Sequence, residues 1–135
     1  MKQIIAIIRM NQVNATRQAL VEAGIPAFTA RKVKGRGQGK VDFHLLKGAE
    51  DGYEEAISQL GPGPRLVPKR MFTIAVPDEL VPKTVKTLIQ VNQTGHPGDG
   101  KIFVVPLLDA VRIRTGEKGE LALDESSPAL AAKTD

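Results

Sequence analysis

Apolar residues recur along this chain in runs that switch between strand and helix periods. Gln3 to Arg9 (QIIAIIR) is a short apolar run of the kind expected of a strand buried on both faces. Asn14 to Ala23 then sets Ala15, Ala19, Leu20 and Ala23 at helical spacing, and Gly24 followed by Pro26 is a stop signal. Ala27 to Lys34 alternates Phe28, Ala30 and Lys32 against Ala27, Thr29, Arg31 and Val33, which predicts a second strand. Lys69 to Val76 resumes the alternation, with Met71, Thr73 and Ala75 facing one way and Phe72, Ile74 and Val76 the other. Pro77-Asp78 opens a second helix, with Asp78 placed to cap its first turn and Leu80, Val81, Val85, Leu88 and Ile89 forming an apolar stripe that ends near Gly95. Ile102 to Leu107 reads as a fourth strand and Val111 to Arg114 as a short fifth.

Strand, helix, strand, long connection, strand, helix, strand is one unit written twice. It predicts an α+β, ferredoxin-like βαββαβ fold: a four-stranded antiparallel sheet with both helices on one side. The other face of such a sheet would be bare, and its apolar residues predict that further subunits cover it. From Gly35 to about Pro68 regular periodicity fails amid seven glycines and three prolines. A connection this long inside a compact domain is usually functional, and its basic start (Arg31, Lys32, Lys34, Arg36, Lys40) favours a loop that answers to a ligand. Within it Asp51 to Leu60 has the makings of a short helix. Residues 1–116 are therefore read as one domain with a long loop over about 36–68, and residues 117–135, rich in Ala, Ser and acids, as a mobile tail.

Charge sharpens this picture. Residues 1–116 hold 17 Lys and Arg against 10 Asp and Glu, whereas residues 117–135 hold 2 against 5, so a basic body carries an acidic tail. Such a body suits phosphorylated ligands or small carboxylates. One Tyr, four Phe and no Trp leave little to stack single-stranded RNA upon. Zero cysteines exclude disulfides and thiolate metal sites, and His44 and His96 alone make a histidine-built metal site improbable. No run is apolar enough to span a bilayer and the first strand begins almost at Met1, which together predict a cytoplasmic protein.

The candidate chemistry lies in Thr94-Gly95-His96-Pro97-Gly98-Asp99-Gly100-Lys101, between the second helix and the fourth strand. Glycines let backbone N–H groups approach an anion, and Lys101 adds charge where the loop ends. The spacing fits neither the Walker pattern nor the dinucleotide fingerprint, and a helix cap followed by a polar connector explains the loop equally well. Arg112-Ile113-Arg114 would set two arginines on one face of a strand, so that both basic elements could serve one polyphosphate.

IIAIIR at the start, VKGRG at Val33 to Gly37, KGAE at Lys47 to Glu50, VPK at Val67 to Lys69, VPDEL at Val76 to Leu80, TGHPGDGKIFV at Thr94 to Val104 and RIRTGE at Arg112 to Glu117 occur in order. Together they resemble the PII family of nitrogen-signalling proteins, over nearly the whole chain up to about Gly119. The resemblance implies a trimer whose clefts bind ATP or ADP, with Mg2+ and 2-oxoglutarate joining ATP, and whose long loop docks onto targets. By position, Gly98, Asp99, Gly100, Lys101, Arg112 and Arg114 match family nucleotide contacts, with Gly37 at the loop base and Thr29 and Ala75 near the adenine. Lys69 matches the lysine that pairs with a 2-oxoglutarate carboxylate. The usual GRQKG run is here Gly37-Gln38-Gly39-Lys40, which removes a phosphate-binding arginine and makes Gln38, with Gly39, the candidate for nucleotide, Mg2+ and 2-oxoglutarate contacts. Asp51 stands where some members carry a uridylylated tyrosine, so that modification is excluded at this place.

The loop is longer than usual, with Gly61-Pro62-Gly63-Pro64 ahead of Val67. It resembles the branch encoded beside nitrogenase, and RMNQVNATRQAL resembles the second of two paralogues there. That implies a homotrimer or a hetero-oligomer with the sister protein, and a nitrogenase component as partner, with an ammonium transporter as the alternative. An enzyme would need a positioned base near the phosphates. Asp99 is the only acid in the glycine loop and His96 the only nearby imidazole, and they read instead as a loop-shaping acceptor and a surface residue. A small RNA binder is the other alternative, opposed by the shortage of aromatics.

Overall fold

The computed structural model describes residues 1–37 and 66–123. The sequence-predicted helix at Asp51 to Leu60, the run Gln38-Gly39-Lys40 and residues 124–135 lie outside the described residues. The elements are β1 (Lys2–Arg9), a 3-10 turn (Met10–Gln12), α1 (Val13–Glu22), β2 (Thr29–Gly35), β3 (Val67–Val76), a second 3-10 turn (Asp78–Leu80), α2 (Val81–Asn92), β4 (Lys101–Pro106) and a last 3-10 turn (Gly119–Ala122). Strand order is β2-β3-β1-β4 and every pairing is antiparallel, which is the ferredoxin-like arrangement expected.

One face of the sheet makes the core. Ile4, Ala6 and Ile8 of β1 and Phe72, Ile74 and Val76 of β3 are buried against Leu20 of α1 and Leu88 of α2, with Ile25 below. Each of these side chains larger than Ala6 contributes about 1.5–3 kcal/mol by leaving water. The alternation read in β3 holds, since Met71, Thr73 and Ala75 on the reverse face are only half-buried. For β1 the expectation is corrected. Of its apolar positions only Ile4, Ala6 and Ile8 are buried, while Ile5 and Ile7 are half-buried, because no helix among the described residues covers the second face.

The helices differ from their predicted faces in informative ways. In α1 the buried residues are Thr16 and Leu20, and Ala15 is exposed. Asn92 of α2 explains the polar choice: its Nδ2 donates to Thr16 Oγ1 at 3.1 Å and to the Leu88 carbonyl at 3.0 Å, so the helices are pinned by a satisfied buried pair. Gly24 (φ +81) ends α1 as expected, with its N–H on the Val21 carbonyl. Asp78 does not cap α2. Its carboxylate instead takes the N-terminal ammonium at 3.0 Å and Lys2 at 3.1 Å, and those two hydrogen bonds hold its pKa below the usual value.

The fifth strand is also corrected. Residues 112–117 form a turn-closed hairpin whose ends meet in a single bridge, Val111 to Lys118. Arg112 N–H donates to the Glu117 carbonyl at 2.8 Å, and Gly116, at φ +76, returns its N–H to the Arg112 carbonyl. Arg112 and Arg114 thus sit on a turn rather than on one strand face.

Candidate functional site

The glycine loop folds back over the reverse face of the sheet at the end where β1 and β3 carry cations. Arg9 and Lys69 lie directly opposite each other in the β1/β3 register, and both are buried, 2% and 8% exposed. Two buried like charges side by side require anionic or carbonyl partners. The loop supplies them. Arg9 donates through Nη1 to Asp99 Oδ1 at 2.7 Å and through Nη2 to the Pro97 carbonyl at 2.7 Å, while Lys69 Nζ donates to the Gly98 carbonyl at 3.0 Å.

Asp99 is the knot of this loop. Its Oδ2 accepts the N–H groups of Thr94 (2.9 Å) and Gly95 (3.0 Å), and its Oδ1 also accepts the Thr94 hydroxyl. Burial opposes ionisation of this carboxyl, but the hydrogen bonds from Thr94, Arg9 and Gly95 together outweigh it and hold its pKa below the ordinary carboxylate value. A carboxylate so engaged shapes the loop, as expected, and His96 above it is half-buried.

Gly100 fixes where the loop meets the sheet. With φ +112 it lies so close to β1 that a Cβ would come within 2.0 Å of the Ile7 carbonyl oxygen. Gly98 also has positive φ, at +92. Lys101 follows as the first residue of β4, exposed and opposite Ile7. Beside it, between α2 and the outer side of β4, runs an apolar groove of about 580 Å³ walled by Val85, Leu88, Ile89 and Val104, with Asp99, Gly100 and Lys101 among its lining residues.

The register decides which sequence-predicted residues come together. Gly98, Asp99, Gly100, Lys101, Lys69 and the end of β2 that leads to Gly37 share one end of the sheet. Thr29 pairs with Thr73 and Ala75 with Gln3 at the other end. Ala75 lies six residues along β3 from Lys69, a distance of about 20 Å. The Arg112 hairpin leaves from that far end too, where Leu107 N–H bonds the Met1 carbonyl. Arg112 pairs with Glu117 at 3.2 Å, and Arg114 is exposed. Among the described residues no hydrogen bond or ion pair joins either arginine to the glycine loop. Gln38 and Gly39 lie outside the described residues.

Arg9 is the residue that sequence reasoning missed. A cation closing an apolar strand reads as the strand's solvated end, and its acceptors lie about ninety residues on. The available signal was the pairing of apolar runs, which sets Arg9 beside Lys69 once β1 and β3 are aligned.

With this geometry in view, the comparisons with known proteins are decisive. The family described as nitrogen regulatory protein P-II matches residues 1–117. The chain belongs to the PII family. Among PII relatives, it is 45% identical over 128 residues to the nitrogen fixation nifHD region GlnB-like protein 2 of Methanobacterium ivanovii, covering 91% of this chain and 99% of that one. It is 44% identical to the protein of the same description from Methanococcus maripaludis, covering 91% and 100%. Against nitrogen regulatory protein P-II 1 of Escherichia coli (strain K12) the identity is 40%, again over 91% of this chain. The crystal structure of Arabidopsis thaliana PII bound to citrate superposes with a TM-score of 0.67 at 30% identity, covering 90% of each chain. This PII chain therefore sits with the nitrogenase-associated GlnB-like branch, second paralogue, as its long loop and opening sequence implied.

Proposed function

We propose that this PII protein is a non-enzymatic regulator that binds ATP or ADP and 2-oxoglutarate and acts, through its long loop, on a nitrogenase component protein. The observation that carries the reading is the convergence of Arg9 and Lys69 beneath the glycine loop. Arg9 is taken up by Asp99 and the Pro97 carbonyl and anchors the loop, while the Lys69 ammonium beside it, on the Gly98 carbonyl, suits one carboxylate of a small dicarboxylate, and the neighbouring N–H groups of a glycine-rich turn suit phosphate. The citrate held by the Arabidopsis PII supports carboxylate binding in this family. The nifHD-region names of the methanogen relatives support the nitrogenase target over an ammonium transporter.

The nucleotide site is completed between subunits. Thr29, Ala75, Arg112 and Arg114 lie toward one end of the sheet and Gly98 to Lys101 at the other, so the two sets meet when the far end of one subunit packs on the near end of the next. The half-exposed reverse face, with Phe103 45% exposed on it, is the surface such packing would cover in a trimer. Gln38 and Gly39, with Gly37 at the loop base, complete the 2-oxoglutarate and Mg2+ contacts from the segment that follows β2. Asp99 is too fully occupied by donors to serve as a general base, which favours a sensor over a hydrolase.

The test is calorimetric titration of 2-oxoglutarate into the purified protein with and without Mg-ATP. Binding that requires Mg-ATP is expected. ATP binding with no 2-oxoglutarate response in either condition would reduce the protein to an adenylate sensor.

A further inference from the structure

The outer edge of the sheet carries a second concentration of charge, which apart from Lys69 the effector site does not use. Across residues 23–37 and 66–77 the chain has Arg31, Lys32, Lys34, Arg36, Lys69 and Arg70, and no Asp or Glu. Lys69 is turned inward, and the other five are exposed or half-exposed. On the helix side of the sheet, Lys32 lies directly opposite Arg70, and Lys34 follows two residues along the same face of β2. Like charges directly opposite across two strands repel at a separation of about 5 Å. Among the described residues Lys32, Lys34 and Arg70 form no ion pair, in contrast to Arg9, Lys2 and Arg112, which do.

β2 is also an edge strand. Its outward N–H and C=O groups are unpaired within the described sheet, and an extended polypeptide can use them as well as the charges. Among the described residues the aromatics close by, Phe28 and the buried Phe72, stack on each other at 4.7 Å, so the patch they border offers no platform for nucleobases. We infer that the Lys32, Lys34 and Arg70 face of β2 is a docking surface for an extended acidic segment of a protein partner, at the foot of the long loop. The partner's carboxylates relieve the repulsion that the isolated chain carries, and their alternation along a strand matches Lys32 and Lys34. The inference stands independently of the effector reading, because it uses none of the effector residues.

The experiment is fluorescence anisotropy with a labelled octapeptide of alternating Glu and Val. Binding is expected, weakening steeply as salt rises from about 50 to about 300 mM. The triple variant Lys32→Gln/Lys34→Gln/Arg70→Gln is expected to lose about tenfold in affinity, whereas Arg17→Gln/Lys83→Gln/Lys86→Gln, which removes equal charge from the helices, stays within about twofold. A peptide with Lys in place of Glu must not bind. Equal loss in both triples, or no binding at all, overturns the surface. Tighter binding of an RNA octamer through the same three cations makes it a nucleic-acid surface and overturns the proposal as well. ATP and 2-oxoglutarate titrations on the first triple are expected to match the unaltered protein. Loss of either would assign these cations to the effector site, and failure of the effector reading alone would leave the peptide result standing.

Discussion

Gly100→Ala is the substitution for which the structure predicts most. The added Cβ would lie 2.0 Å from the Ile7 carbonyl oxygen and 3.1 Å from its carbon, both backbone atoms of a strand hydrogen-bonded on either side. That strand cannot yield, and φ +112 is strained for any side chain besides. Backbone strain of about 1–3 kcal/mol and overpacking of about 1–3 kcal/mol add, until the loop lifts off β1 instead and gives up the Arg9–Asp99 and Lys69–Gly98 contacts. We expect a loss of about 2–4 kcal/mol, read by urea denaturation, and a fall in melting temperature of about 10 °C. Nucleotide affinity, measured by calorimetry, should fall with it. Gly95→Ala is the matched control. It sits in the same loop at φ +84 with nothing within 4 Å, and should cost only about 1 kcal/mol. If the two variants lose the same stability, or Gly100→Ala keeps full nucleotide affinity, the close approach to Ile7 is not what seats the loop.

Three other outcomes follow from the same geometry. Lys69→Ala should abolish or strongly weaken the 2-oxoglutarate response in calorimetry while leaving ADP binding largely intact, and equal loss of both ligands would refute that division of roles. Arg112→Ala and Arg114→Ala should each weaken ATP binding by about 1–3 kcal/mol, and unchanged affinity would remove them from the site. Because the folded-state pKa of Asp99 is lowered, its stabilising contribution is complete above the unfolded value near 3.8 and is lost as pH falls below it. Urea midpoints should therefore show no contribution from Asp99 between pH 7 and pH 5, and Asp99→Asn, though less stable at neutral pH, should lose less on further acidification to about pH 3.

How much of this was legible in the sequence depended on whether a residue's role is local. The alternation of Phe72, Ile74 and Val76 placed β3 correctly, because a two-residue period needs no knowledge of distant partners. The run Ile4 to Ile8 misled in one respect, since an apolar run is silent on whether its second face is covered by the same chain. In α1 the alanines carried too little volume to fix the buried face, and Thr16 was chosen by Asn92, a helix away. Asp78 had the position of a cap but a stronger offer from two ammonium groups. The arginines at 112 and 114 had strand spacing, but Gly116 at positive φ closes a turn there. The glycine loop was visible as a motif. That it roofs Arg9 and Lys69, rather than projecting into solvent, follows only from the sheet register.

The β2/β3 pairing has a consequence for the span it encloses. Gly35 lies directly opposite Val67, so the ends of the intervening stretch are clamped one strand spacing apart whatever its length. The entropy of closing a chain segment grows only with the logarithm of its contour length, about 0.6 kcal/mol per doubling. Residues can be added or removed there at almost no thermodynamic penalty to the sheet. The length of that span is thus a variable that evolution can adjust separately from the fold, and the Gly61-Pro62-Gly63-Pro64 run is part of its present length.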